Sequence, residues 1–232
     1  MSRTLCQSCQ RPEKSCICQF TTEVANDIHV VVLQHPSEVS QVKGTIALLA
    51  KSLSSCQVLI GEDFSEDTQL LKIVEQYKTL LLYPGENAKT LDETLIASLK
   101  AHIDIQGSEQ VSSLVINDDK KIKPLCLVIL DGTWKKAYRM FRVSNNLQQL
   151  AQVSLPEYLA NAGQYLIRKV AKKNALSSLE ATCYALALLD AGPDFNQVSA
   201  QQAGKYQPLL NKFQAFNQFH LSFRPDALKS KV

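Results

Sequence analysis

The chain has 232 residues, of which 45% are hydrophobic and 20% are charged. This is ordinary usage for a globular domain, and it excludes a collagen-like, coiled-coil or disordered chain. The formal net charge of +3 permits an anionic partner without requiring one. No apolar run approaches the roughly 18 residues that a membrane-spanning helix needs, and the N-terminal residues lack the apolar core of a signal peptide. We therefore expect a soluble, cytoplasmic protein that does not enter a membrane.

The first segment of the chain is short, polar and rich in cysteine. Its cysteines follow the pattern Cys-x2-Cys-x6-Cys-x-Cys, and they are Cys6, Cys9, Cys16 and Cys18. Four thiolates so close in sequence can surround one Zn²⁺ ion at Zn–S distances of about 2.3 Å, whereas the alternative is a loose redox or disulfide cluster. We predict a structural zinc ribbon over residues 1–24 and a second domain over residues 25–232. The ribbon could contact RNA or only brace the N-terminus, and the spacing does not decide between these roles.

From residue 28 onward, short apolar runs alternate with helical patterns. The runs predict strands at residues 28–33, 57–60, 79–83 and 125–130. The other patterns predict helices at residues 42–53, 66–77, 90–101, 133–142, 177–191 and 206–219. This alternation indicates an α/β fold with a mostly parallel sheet flanked by helices. Two polar stretches, residues 106–113 and 117–123, are expected to be flexible.

Two further sets of side chains are expected in the core. The last helix carries an apolar stripe, formed by Leu209, Leu210, Phe213 and Phe216. Such a stripe is far more often packed on a core than used as a binding face. The three scattered cysteines are Cys56, Cys126 and Cys183. Because each stands among apolar residues, we interpret them as small buried hydrophobic side chains.

Residues suited to ligand binding follow three of the predicted strands. In chain order they are His35-Pro36, Tyr83-Pro84-Gly85 and Asp131-Gly132-Thr133-Trp134. In open α/β sheets, ligands bind outside the carboxyl ends of the strands. A carboxylate at Asp131 could serve there as a base, with Trp134 as the wall of an apolar pocket. Alternatively, Asp131 only caps the next helix and Trp134 fills the core.

Two helix starts carry polar groups of uncertain purpose. Ser177 and Glu180 fit a capping box at the start of a helix, and a helix N-terminus also suits a ligand with a carboxylate. The helix at residues 133–142 has a basic side with Lys135, Lys136, Arg139 and Arg142. Such a side is either simply solvated or in contact with phosphates. The basic runs at residues 120–123 and 168–173 carry the same ambiguity.

Taken together, these features resemble the DTW domain family, which is named for its Asp-x-Thr-Trp motif. Here the motif is Asp131-Gly132-Thr133-Trp134, preceded by an apolar strand and followed by a basic helix. The resemblance covers most of the chain and also includes the cysteine ribbon with Arg11-Pro12-Glu13-Lys14, Thr45, Tyr83-Pro84-Gly85, Arg168 and Glu180-Ala181. Each feature is weak alone, but their order along the chain is specific.

The resemblance implies a tRNA-uridine aminocarboxypropyltransferase that uses S-adenosylmethionine. It also implies a knotted fold related to the SPOUT methyltransferases. The enzyme would transfer the 3-amino-3-carboxypropyl group to N3 of a tRNA uridine and release 5′-methylthioadenosine. One alternative is the same transfer, or a methyl transfer, on ribosomal RNA. Another is a non-catalytic zinc-ribbon protein that binds RNA.

The resemblance also implies roles for individual residues. Asp131 would be the base that accepts the imide proton of the uridine. The donor would be bound by Thr45, Leu82, Pro84, Gly85, Leu130, Gly132, Thr133, Trp134, Ser177 and Glu180. The tRNA phosphates would be bound by Lys135, Arg139, Arg168 and Lys169.

Overall fold

A parallel sheet organises the chain. The computed structural model describes residues 4–104, 123–163 and 175–223. Within these residues the strands are β1 (His29–Gln34), β2 (Cys56–Ile60), β3 (Lys78–Leu82), β4 (Lys89–Thr90), β5 (Leu125–Asp131) and β6 (Ala151–Ser154). Their order across the sheet is β2-β1-β5-β3-β6-β4, and every neighbouring pair is parallel.

Helices cover both faces of the sheet. They are α1 (Ile46–Ser52), α2 (Thr68–Gln76), α3 (Glu93–Asp104), α4 (Trp134–Val143), α5 (Asn145–Gln148), α6 (Glu157–Ala160), α7 (Ser178–Ala191) and α8 (Gln207–Ser222). Helices α2, α4 and α5 pack on one face, while α1, α3, α7 and α8 pack on the other. The central strands are therefore buried on both sides, which explains why their sequences are continuous apolar runs. The α/β fold with a mainly parallel sheet, predicted from the sequence, is confirmed.

Alternation along the strands divides the apolar side chains between two cores. In β1, Val30 and Val32 face α1 and α7, whereas Val31 and Leu33 face α2 and α4. In β5, Leu130 lies on the α4 side. The next side chain, Asp131, emerges on the α7 side, where Ser178 at the start of α7 meets it.

The four predicted strands are present, but two short ones were missed. Strands β4 and β6 have two and four residues and are largely polar or exposed, so they lack the apolar run that identifies a buried strand. Helix α3 begins at Glu93 rather than residue 90, because Lys89 and Thr90 pair with β6. The two stretches expected to be flexible lie outside the described residues, except for Lys123.

The first helix begins four residues later than predicted, at Ile46. The backbone from Glu38 to Gly44 forms successive turns, with Gln41 N–H bonded to Glu38 O and Gly44 N–H bonded to Gln41 O. The Val42 carbonyl accepts a hydrogen bond of 2.7 Å from the Arg11 guanidinium. The local sequence pattern predicts that the helix already begins at residue 42. Instead, the hydrogen bond from the distant Arg11 holds this part of the backbone in turns.

The sheet has a topological switch point between β1 and β5, where the connections from these two strands lead to opposite sides of the sheet. From β1 the chain continues through α1 to β2 on one side, and from β5 through α4 and α5 to β6 on the other. Ligand crevices in open α/β sheets lie at such a point, outside the carboxyl ends of the strands. Here the strand ends at Gln34 and Asp131 stand opposite each other in register.

The cysteine segment packs on the same core as α1 and α8. Ile17 and Phe20 are buried, and the Phe20 ring lies 5.7 Å from the Phe216 ring and 5.2 Å from the Phe219 ring. The stripe on α8 is also buried, so its predicted core role is confirmed. Two lysines also hydrogen-bond to the backbone of the cysteine segment: Lys51 Nζ of α1 donates to Ser8 O, and Lys212 Nζ of α8 donates to Gln19 O.

Of the three scattered cysteines, Cys126 and Cys183 are buried, as predicted, and Cys56 is partly buried. Burial raises the pKa of Cys56 to about 11 and that of Cys126 to about 12, so both thiols stay protonated at neutral pH. No helix among the described residues has both the length and the apolar character needed to cross a bilayer.

We expect Phe20→Ala to lower the free energy of unfolding by about 3–5 kcal/mol, because it empties a well-packed site between the ribbon and α8. The matched control is Phe223→Ala: this ring also contacts Phe219 but is 60% exposed, against 7% for Phe20. The control should change stability by less than about 0.5 kcal/mol. Urea unfolding measures both, and equal losses would show that the ribbon is not anchored through Phe20.

Candidate active site at the carboxyl edge of the sheet

Asp131 ends β5 as a buried carboxylate whose two oxygens are both hydrogen-bonded. Its Oδ2 accepts from Gln34 Nε2 at 2.9 Å, and its Oδ1 accepts from Ser178 Oγ at 2.7 Å. Gln34 is the last residue of β1, and Ser178 is the first of α7. The carboxylate therefore has a fixed orientation, set by one side chain from the neighbouring strand and one from a covering helix.

The alternative in which Asp131 is only a helix cap is wrong. Thr133 is the N-cap of α4, and its Oγ1 accepts from Lys136 N–H at 3.4 Å. Trp134 is 61% exposed, so it does not fill the core. Asp131 instead faces the α7 side of the sheet, and the Asp-Gly-Thr-Trp motif divides into a buried carboxylate, a turn, a cap and an exposed ring.

The start of α7 has the predicted capping box. Ser177 Oγ accepts from Glu180 N–H at 3.2 Å, and Glu180 Oε2 accepts from Ser177 N–H and Oγ–H, both at 2.8 Å. Ser177 and Glu180 therefore hydrogen-bond to each other. The side chain that reaches Asp131 belongs to Ser178, which the sequence analysis did not single out. The sequence feature that could have identified Ser178 is its position one residue after the helix cap, because a side chain there can point back toward the sheet edge.

The loop after β3 lies beside the Asp131 loop, since β3 and β5 are neighbours. Leu82 ends β3, and Pro84 and Gly85 follow it. A Cβ added at Gly85 would lie 2.5 Å from Gln152 Oε1, and the Gly85 N–H is bonded to Tyr83 O at 2.8 Å. Gly85 therefore lies beside the Gln152 side chain of β6, and a larger residue here would displace the end of that side chain.

The remaining residues predicted for the donor occupy separate positions. Leu130 is partly buried on β5, and Gly132 forms the turn, where an added Cβ would lie 3.1 Å from Lys136 Cβ. Thr45 is buried immediately before α1, and its side chain makes no capping hydrogen bond to that helix. Of the residues predicted for RNA, Lys135 and Arg139 are exposed on α4. Arg168 and Lys169 lie outside the described residues.

A charged network joins the loop after β1 to α4. Lys136 Nζ lies 2.8 Å from Oε1 of the buried Glu38 and donates to Ser37 Oγ at 2.6 Å. On the other side, Glu62 Oε1 lies 2.8 Å from Arg139 Nε and 3.5 Å from His35 Nε2. Lys136 thus has a structural partner, so its charge differs in role from the exposed charge of Lys135.

The four N-terminal cysteines converge as predicted. Cys6 Sγ lies 3.8 Å from Cys18 Sγ, Cys9 Sγ lies 3.8 Å from Cys16 Sγ, and all four sulfurs are within 4.8 Å of one another. A tetrahedral ion with metal–sulfur distances of about 2.3 Å separates its ligands by about 3.8 Å. The donor set and its spacing therefore fit one metal ion.

Hydrogen bonds within the ribbon act differently on two of its thiols. Burial alone would raise the pKa of Cys9, but hydrogen bonds from the Ile17 and Arg11 backbone and from neighbouring thiols lower it to about 6. At Cys16 a backbone hydrogen bond from Cys18 also lowers the pKa, but hydrogen bonds with the neighbouring thiols raise it to about 12. The Cys6 N–H is bonded to Arg11 O, and Gln10, between the two, has a φ of 57°. This left-handed residue lets the chain turn tightly around the sulfurs.

Comparison with known proteins identifies relatives over almost the whole chain. The family model of the DTW domain matches residues 3–221. The tRNA-uridine aminocarboxypropyltransferase 2 of Macaca fascicularis is 32% identical over 194 residues, covering 81% of this chain and 57% of that protein. The protein of the same name from Drosophila melanogaster is 28% identical over 202 residues, covering 84% of this chain and 70% of that protein.

A plant relative is more distant. The tRNA-uridine aminocarboxypropyltransferase A of Arabidopsis thaliana is 26% identical over 152 residues, covering 61% of this chain and 52% of that protein. No solved structure matches the chain. This chain spans little more than half the length of the macaque protein.

The Lys136–Glu38 pair makes a prediction about the loop after β1. We expect Lys136→Met to lower the free energy of unfolding by about 1–3 kcal/mol, because it removes the cation beside a buried carboxylate. Lys135→Met, the adjacent lysine on the exposed side, should change it by less than about 0.5 kcal/mol. Combining Lys136→Met with Glu38→Gln should recover part of the loss in urea unfolding. A double variant with fully additive losses would contradict the pairing.

Proposed function

Because the chain belongs to the DTW domain family, we propose that it transfers the 3-amino-3-carboxypropyl group of S-adenosylmethionine to N3 of a tRNA uridine. The observation that carries the proposal is the motif aspartate, buried and held by two side chains where the sheet topology expects a ligand. The names of the relatives, which are tRNA-uridine aminocarboxypropyltransferases, support the reaction and the substrate class.

The reaction is a displacement at carbon. The donor supplies a γ-carbon activated by the adjacent sulfonium, so no metal is needed for the chemistry. The bond from uridine N3 to this carbon forms while the carbon–sulfur bond breaks, and its electron pair leaves with sulfur in neutral 5′-methylthioadenosine. The imide proton of N3 passes to Asp131. Because the donor is already activated, the protein contributes mainly orientation and proton acceptance.

Asp131 suits the role of base because its position is fixed. The hydrogen bonds from Gln34 and Ser178 hold one carboxylate oxygen each, so the side chain is already oriented before the uridine binds. Gln34 and Ser178 are positioning residues in this mechanism, since they act through Asp131.

We assign the donor to the carboxyl ends of β3 and β5. Leu82, Pro84, Gly85, Leu130, Gly132 and Thr133 lie at the ends of these two neighbouring strands or in the loops that follow them. Thr45, Ser177 and Glu180 are our candidates for the ribose and amino-acid ends. A positive sulfonium is stabilised beside a buried carboxylate, and Glu180 provides one near the start of α7.

We extend the proposal to a SPOUT-like, knotted fold. The supporting feature is the position of β5, which is inserted between two strands that precede it in the chain, β1 and β3. We also propose that Lys135, Arg139, Arg168 and Lys169 contact tRNA phosphates. Such contacts position the RNA without reading its sequence.

The function is tested by incubating the protein with S-adenosylmethionine and unmodified tRNA, followed by mass spectrometry of the nucleosides. We expect an aminocarboxypropyl-uridine and an equal amount of 5′-methylthioadenosine. A methylated nucleoside with S-adenosylhomocysteine would overturn the chemistry. A product formed only on ribosomal RNA would overturn the substrate.

Asp131→Asn should lower kcat by at least about a hundredfold, the usual contribution of a general base. Donor affinity, measured by calorimetry, should change little. The control is Asp194→Asn, an exposed aspartate near the far end of α7, which should keep wild-type activity. Near-full activity of Asp131→Asn would refute the assignment of the base.

The hydroxyl of residue 178 can be tested separately. Ser178→Ala should lower kcat more than it raises the KM for donor, because it removes one of the bonds that orient Asp131. Ser178→Thr, which keeps the hydroxyl, should restore kcat. A loss of equal size in both variants would indicate a packing effect instead.

We propose that the cysteine ribbon, residues 1–24, holds one structural Zn²⁺ ion. Four protein sulfurs complete a tetrahedral shell, so no position stays open for substrate. The ribbon has few apolar side chains of its own, and metal binding would supply part of its folding free energy. Thiols stay available to a metal in a reducing compartment, which favours the cytoplasm.

Elemental analysis of the purified protein should therefore find one zinc per chain. Cys9→Ser should lose this zinc and lower the melting temperature, because Phe20 would lose its ordered support. Cys56→Ser is the control, since Cys56 lies outside the cluster, and it should retain the zinc. Full zinc content in Cys9→Ser would contradict the four-cysteine site.

A further inference from the structure

Helix α4 exposes two aromatic rings side by side. Trp134 is 61% exposed and Tyr138 is 58% exposed. They are four residues apart, so they are neighbours on one side of the helix. The buried side of α4 is formed instead by Ala137 and Met140. These rings are therefore not part of the packing that holds α4 on the sheet.

The aromatic surface continues toward the sheet edge. Phe141 lies on the same side of α4 and stacks on Tyr83, with 4.8 Å between ring centres and 20° between planes. Tyr138 lies near enough to Tyr83 to add to the effect of burial, and together they raise the pKa of the Tyr83 phenol. Since Tyr83 directly follows β3, the surface extends from the exposed face of α4 to the carboxyl end of that strand.

Basic side chains border the two rings. Lys135, Arg139 and Arg142 are exposed on the adjoining stripe of α4. Arg139 is tied to Glu62 by a 2.8 Å contact, whereas Lys136, on the inner side, neutralises the buried Glu38. The outer surface of α4 thus pairs an aromatic row with a row of positive charge.

We propose that Trp134 and Tyr138 form a stacking surface for unpaired bases of an RNA strand, whose phosphates contact the basic row of α4. This inference rests on the proposed function and adds to it the way the RNA is held. Aromatic rings beside cations suit bases joined by phosphates, because every base offers a face for stacking. Trp134 follows Asp131 by three residues through the turn at Gly132, so a strand stacked here lies at the same carboxyl edge of the sheet as Asp131.

Trp134 gives a direct readout, because it is the only tryptophan of the 232 residues. The probes are single-stranded decauridylate, a ten-base-pair RNA duplex and S-adenosylmethionine, each titrated separately. We expect the single strand to quench Trp134 emission and the duplex, whose bases are already stacked, to quench it much less. Quenching by S-adenosylmethionine with none by the single strand would overturn the proposal and assign Trp134 to the donor.

Variants at Tyr138 separate stacking from charge. Tyr138→Leu should weaken binding of the single strand about tenfold, as expected for loss of stacking on one base, and Tyr138→Phe should preserve it. Leu71→Ala is the control, since Leu71 is a half-exposed apolar residue on α2, and it should bind RNA as the wild type does. Equal affinity of Tyr138→Leu and wild type would refute the stacking surface.

The outcome is independent of the reaction itself. Wild-type protein that quenches and binds the single strand but forms no modified nucleoside would leave the stacking surface standing and remove the proposed function. Wild-type protein that modifies tRNA while Trp134 emission stays constant on addition of the single strand would refute the stacking surface and leave the proposed function standing. A rise of KM for tRNA in Tyr138→Leu, with the donor affinity unchanged, would support both.

Discussion

The hydrogen-bonded carboxylate of Asp131 is the interaction on which the candidate site depends. A buried carboxylate is costly unless its oxygens are satisfied, and here the partners come from β1 and from α7. The pairing requires the observed register, in which Gln34 stands opposite Asp131. A slip of one residue would bring Leu33 to that position and turn Gln34 away. The two hydrogen bonds therefore link the strand register and the docking of α7 to the orientation of the candidate base.

The N-terminal ribbon supports this arrangement from a distance. Phe20 packs on α8, and α8 in turn packs beside α7, whose first residue reaches Asp131. Arg11 also holds the backbone before α1 through Val42 O. These contacts give the ribbon a bracing role that is independent of any contact with RNA. A metal bound by the four cysteines would therefore stabilise the helix layer that holds the candidate base in position.

Sequence reasoning was most successful where one local pattern decides the structure. The apolar runs identified the four main strands, and the box at Ser177 and Glu180 identified the start of α7. It failed where partners distant in sequence decide. Ser178 and Gln34 are ordinary polar residues until the fold brings them to Asp131, across 47 and 97 positions of the chain. Likewise, β6 is a strand only because β3 and β4 lie beside it.

Helix α4 shows a different limit of sequence reasoning, and it completes the picture of the site. The helical spacing places Trp134, Tyr138 and Phe141 on one side of α4, but this spacing alone does not show whether that side is buried in the core or exposed to solvent. In the fold, only Phe141 of these three packs on the core. Asp131 faces the α7 side of the sheet, whereas the two exposed rings belong to a helix on the opposite side. An RNA strand held on α4 must therefore cross the carboxyl edge between β1 and β5 to bring a base to Asp131, so the turn at Gly132 lies where the two sides of the proposed site meet.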